Sequence, residues 1–130
     1  MIHDELVTYG VAKLAKEKGF NEGCLFYYQN GVTESDGCYN HYNMGNKNIC
    51  SAPTQSLLQR WLREEKGVHI TIDRDLDFNE KDYIYEWQAS QRKDLGDGCY
   101  RVINESDMEF YSTYEEALEK ALKYALENLV

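Results

Sequence analysis

The stretch SAPTQSLLQRWLREEKG, residues 51–67, decides how the chain is read. Ser51 is a possible N-cap, and Pro53 falls within the first turn, where a missing N–H is tolerated. Gly67 marks the stop. Leu57, Leu58, Trp61 and Leu62 fall on one side of the predicted helix, which leaves Gln55, Gln59, Arg60, Arg63 and Glu64 mostly outside. The helix is therefore either a core element with a solvated outer face or a reader whose Gln and Arg side chains meet base edges.

Downstream, Val68, Ile70 and Ile72 alternate with His69, Thr71 and Asp73, the period of a strand buried on one face. Asp82 to Ser90 repeats that alternation, and Cys99 to Ile103 supplies a third strand after Gly96-Asp97-Gly98. Three successive strands predict a meander. In the closing TYEEALEKALKYALENLV, Thr113 and Glu116 stand at capping-box spacing, and Tyr114, Ala117, Leu118, Ala121, Leu122, Ala125 and Leu129 repeat every three to four residues. Residues 51–130 thus read as an α-β-β-β-α core.

Upstream, residues 4–18 predict a helix through Leu6, Val7, Gly10, Val11, Leu14 and Ala15, closed by Gly19 with Phe20 behind it. Residues 23–50 carry glycines and tyrosines without a helical period. They predict a strand at Cys24 to Gln29, a turn at Asn30-Gly31 and a short strand at Tyr39 to Met44. The expected fold class is α+β: a single domain over 1–130, with helices on one face of an antiparallel sheet of three or more strands. A chain of 130 residues suits one core.

The net charge of −9 is concentrated towards the C-terminus, where residues 82–130 hold eleven acidic side chains against five basic ones. Backbone recognition of nucleic acid requires Lys and Arg to neutralise phosphates, so this balance argues against it. The alternative nucleic-acid reading would rest on Arg60, Arg63, Lys66 and Arg74. The α-β-β-β-α order is shared with double-stranded-RNA-binding domains. That likeness is one of topology alone, because Glu115 and Glu116 stand where a basic cluster would open the last helix.

No span approaches twenty apolar residues and no leader pattern precedes the domain, so a cytoplasmic protein without a membrane partner is expected. Cys24, Cys38, Cys50 and Cys99 are then expected as thiols. Cys38-x-x-His41, with Cys24 and Cys50, has zinc-ligand chemistry but not finger spacing. Asp73, Asp75, Asp77 and Asn79 alternate like half a calcium loop, yet Phe78 and Ile84 stand where that loop needs Gly and Glu. We expect no metal, no cofactor and no catalytic residue, since no nucleophile and base share a recognised motif.

Eleven tyrosines among seventeen aromatic residues provide a large amphipathic area, of the kind enriched at interfaces. Tyr27, Tyr28, Tyr39 and Tyr42 are the expected contacts with an unidentified protein partner. Tyr83, Tyr85 and Trp87 form a further aromatic group, and the sequence leaves a homo-oligomer open.

The box Ala52-Pro53-Thr54-Gln55-Ser56-Leu57-Leu58-Gln59-x-Trp61-Leu62-Arg63-Glu64, the Val68-His69-Ile70 strand and the Thr113 to Leu118 segment resemble a group of small bacteriophage and prophage proteins. Those proteins have no assigned activity, so the resemblance implies a mobile-element origin and no site residues.

Overall fold

The computed structural model describes residues 2–35, 37, 42–43 and 48–130. The fold is α+β, with three helices and two three-stranded antiparallel sheets among the described residues. Contacts divide it into two compact units, Met1–Leu58 and Gln59–Val130.

In the first unit, α1 spans Tyr9–Glu17. It begins later than the sequence pattern predicts, because the preceding residues are extended. The Val7 amide donates to the Pro53 carbonyl (3.0 Å), and the Gln55 amide donates to the Glu5 carbonyl (2.8 Å). Thr8 caps the helix, its hydroxyl accepting from the Val11 amide. At the other end the Phe20 amide reaches back to the Ala15 carbonyl and the Gly19 amide to that of Lys16. Gly19 has φ +96°, and this paired closure is the glycine-terminated motif that the Gly19-Phe20 pattern predicts.

The sheet of this unit has the order β2-β1-β3, from β1 (Phe26–Gln29), β2 (Val32–Ser35) and β3 (Ile49–Ala52). Gln29 pairs with Val32, so Asn30-Gly31 forms a two-residue hairpin loop, with φ of 53° and 83°. The central strand β1 also pairs with β3, setting Tyr28 opposite Cys50. Strand β3 corrects the expected helix start. Ser51 is a buried strand residue rather than an N-cap, and Pro53 precedes the helix. The cap is Thr54, whose Oγ1 accepts from the Leu57 amide at 3.2 Å. The strand expected over 39–44 falls mostly outside the described residues, and Tyr42 and Asn43 are not in a strand.

Helix α2 (Gln55–Lys66) spans the division between the units. Leu58 and Leu62 are fully buried and Trp61 nearly so, while Arg60, Arg63, Glu64 and Glu65 face solvent. In the second unit β4 (Val68–Leu76), β5 (Tyr83–Gly96) and β6 (Cys99–Glu105) form a meander in that order. The register pairs Ile70 with Ala89 and Ile72 with Trp87. Val68, Ile70, Trp87 and Ala89 are buried, whereas His69, Thr71 and Gln88 are exposed, as the period-two pattern requires.

α3 (Tyr114–Asn128) packs on β4 and β5. The Thr113 hydroxyl accepts from the Glu116 amide at 3.1 Å, and Ala117, Leu118, Ala121, Leu122, Ala125 and Leu126 are buried. Small alanines along this face bring the helix close to the sheet. Trp87 fills the space, its ring centroid 5.0 Å from that of Tyr124.

Candidate protein-binding surface

Of the expected tyrosine contacts among the described residues, Tyr27 and Tyr28 lie on opposite faces of β1. Tyr28 is 8% exposed; its hydroxyl donates to the Val7 carbonyl at 2.5 Å and its ring meets Tyr9 edge-on. This corrects its place among the contact residues. In β1 adjacent residues point to opposite faces, and Tyr28 takes the inward one. Tyr27, half-buried, lies opposite Glu34 and Ser51 on the other face. Tyr42 is 44% exposed, and Tyr39 lies outside the described residues. Tyr28→Phe is expected to destabilise the first unit by about 1–2 kcal/mol, because the Val7 carbonyl loses a buried partner. Urea unfolding followed by circular dichroism reads this directly, and an unchanged midpoint would show that the hydroxyl carries no weight.

Of the basic residues, Arg60 is engaged with Glu64 at 3.0 Å. Lys66 lies over the Trp61 ring at 5.3 Å, and Arg74 over Tyr83 at 4.2 Å. Arg63 stands exposed on α2 beside Glu64 and Glu65. Cations held this way carry their stems along apolar or acidic neighbours, which is the ordinary state of a solvated helix face.

Cys24, Cys50 and the acidic repeat each have a local structural setting. Cys24 and Cys50 are buried free thiols. Burial pushes the Cys24 thiol up to about 11 and raises that of Cys50, although Lys16 and Lys13 oppose the latter shift, so both stay protonated at neutral pH. Cys38 and His41 lie outside the described residues. Asp73 and Asp75 stand in the β4 ladder opposite Glu86 and Ile84, while the Asp77 carboxylate accepts from the Phe78 amide at 2.7 Å. Among the described residues, no three His, Cys, Asp or Glu side chains gather where an ion could be held.

Among the described residues, an apolar surface that lacks cover lies at the β4–β5 turn. The Asp77 amide donates to the Asp82 carbonyl (2.8 Å), and Asn79 Oδ1 accepts from the Lys81 amide (2.9 Å). This bonded loop holds the Phe78 side chain fully in solvent. Leu76 and Tyr83 face each other across the strands, each about half exposed, and Phe110 (60%) and Met108 (84%) are exposed on the returning segment. A cleft of about 600 Å³ opens between the turn and Phe110, lined by Leu76, Phe78 and Ile84 and by Asp75, Asp77 and Glu80. Residues 73–82 hold five carboxylates against Arg74 and Lys81, and Glu105, Asp107 and Glu109 follow on the returning segment.

That segment is anchored. Tyr85 and Tyr111 exchange both backbone hydrogen bonds, and the Tyr111 hydroxyl donates to the Asp107 carboxylate. Desolvation would raise the Asp107 carboxyl, but the bonds it accepts from Tyr111 and the Glu109 amide outweigh burial and hold it below its ordinary value. Burial, and then the same pairing, push Tyr111 up to about 12. The buried Trp87 indole N–H favours the ionised forms of both groups, lowering each.

Sequence reasoning singled out Tyr83 but missed Phe78 and Phe110. The available signal was a large apolar residue inside a polar, acidic turn, where solvation normally excludes one. No family model, curated protein or solved structure matches this chain.

Proposed function

We propose that the protein is a non-catalytic binding protein of phage or prophage type, acting in the cytoplasm. It engages a protein partner that presents basic and apolar residues. The observation that carries this reading is the fully exposed Phe78 on a hydrogen-bonded acidic turn, beside Leu76, Tyr83 and Phe110. Aromatic side chains with a polar rim have the composition of an interface centre. The surrounding carboxylates would steer a basic partner and disfavour an acidic one. The 52–64 box supports the phage origin, and the free thiols support a reducing compartment.

No helix among the described residues is long and apolar enough to cross a membrane. The test is capture of partners from a bacterial lysate with wild-type protein and with Phe78→Ala, each in nuclease-treated and untreated halves. A protein retained after nuclease by the wild type and weakened by about 30-fold in the variant is expected, the loss of one aromatic hot spot of about 2 kcal/mol. Retention indifferent to Phe78, or nucleic acid recovered in place of protein, would overturn the reading. In the second case Arg63 and its basic neighbours would become the residues to test.

A further inference from the structure

We propose that β6 is a self-association edge, pairing antiparallel with β6 of a second copy to join two three-stranded sheets into one of six strands. This inference stands independently of the acidic turn and of its partner.

Strand β5 is fourteen residues long, and its pairing with β4 ends at Gln91. Beyond that point Arg92 to Gly96 pair with β6 alone, so residues 92–102 form a two-stranded ribbon extending past the three-stranded part of the sheet. Every residue in this stretch is exposed, including Leu95 (62%), Tyr100 (56%) and Val102 (52%). A two-stranded ribbon in water is marginal without further cover. Among the described residues no other strand pairs with the outer edge of β6.

Natural sheet edges are normally protected against pairing by Lys, Pro, a bulge or inward charges. β6, CYRVINE, contains no Lys or Pro, and the register shift lies at Asp94/Gly96 in β5, outside the strand itself. The opposite edge, β4, carries three consecutive charges, Asp73, Arg74 and Asp75, whereas the charges of β6 are two separated residues of opposite sign, Arg101 and Glu105.

Charge selects a second copy as the occupant. The chain as a whole is strongly acidic, but residues 92–105 set Arg92, Lys93 and Arg101 against Asp94, Asp97 and Glu105, so two ribbons carry no net charge to repel. β6 is also complementary to itself. An antiparallel pairing centred on Ile103 sets Arg101 of each copy directly opposite Glu105 of the other, and one centred on Val102 leaves them one diagonal step apart. Both distances allow an attractive cross-strand pair, formed twice by symmetry.

Sedimentation of the full chain under reducing conditions, from low micromolar to about 500 µM, tests this. The wild type should show a concentration-dependent dimer. Tyr100→Lys/Val102→Lys, at positions already exposed in the single chain, should weaken it by at least tenfold, as should Arg101→Glu, which sets two carboxylates together. An unchanged dilute melting curve would establish that the variants fold. A wild type that stays monomeric throughout, or a dimer indifferent to both variants, would overturn the proposal.

Discussion

Trp87→Ala is expected to lower the stability of the C-terminal unit by about 3–5 kcal/mol, the largest loss from any single truncation in its sheet. The indole is 1% exposed, pairs across the ladder with Ile72 and lies against Tyr124 of α3. Removing it opens a cavity between β5 and a helix whose packing face is half alanine, three alanines with three leucines that are already fully packed, so little side-chain volume can collapse into the space. The effect should extend beyond packing, because Trp87 also acts on the Asp107–Tyr111 pair that anchors the returning segment. Trp87→Phe should recover much of the loss by restoring ring volume. Urea unfolding followed by far-ultraviolet circular dichroism is the measurement, since the variant leaves Trp61 as the only tryptophan reporter. A loss below about 1 kcal/mol would mean that the sheet and α3 are not organised around this ring.

Where the period of a segment matched the face it buries, its role was legible in the sequence. The alternation of Val68, Ile70 and Ile72 and the repeat in α3 required no distant partner to be read, because each buries one regular face. Gly19 and Asn30-Gly31 were legible for another local reason: their positions need positive φ, which few residue types accept. Strand β3 was not legible. Ser51-Ala52-Pro53 satisfies the chemistry of a helix start, and what draws it into a sheet is pairing with Phe26 and Tyr27 and with the distant segment Glu5 to Val7. The same pairing shortens α1 from its N-terminal side. The surface was harder still, since adjacent Tyr27 and Tyr28 are chemically equal and only strand register turns one inward. Phe78 could be recognised as exposed only once the turn was placed.

Trp61→Ala should cost about 3–5 kcal/mol, while Arg63→Ala on the same helix should change stability by no more than about 0.5 kcal/mol. Trp61 is 6% exposed and stands with the fully buried Leu58 and Leu62, whereas Arg63 faces solvent. Lys66 lies over the indole, so Trp61→Ala also removes a cation–π contact, a smaller contribution of about 0.5–1 kcal/mol. Comparing the two variants separates the alternatives for residues 51–67. A core helix loses folding with its tryptophan and tolerates the loss of an outer arginine. A reader would lose retention of nucleic acid with Arg63→Ala, and that retention would fall steeply with salt because phosphate contacts release counterions. Thermal melting of both variants, run beside binding to duplex DNA and RNA at two salt concentrations, puts both outcomes in one experiment. The expected result is a large melting shift for Trp61→Ala, little shift for Arg63→Ala and no salt-sensitive binding. The helix would then serve the fold through its apolar face, with Arg60 and Arg63 solvating the other; the two glutamines expected outside are not on that face, since Gln55 is buried and Gln59 donates to the Ile70 carbonyl at 3.0 Å.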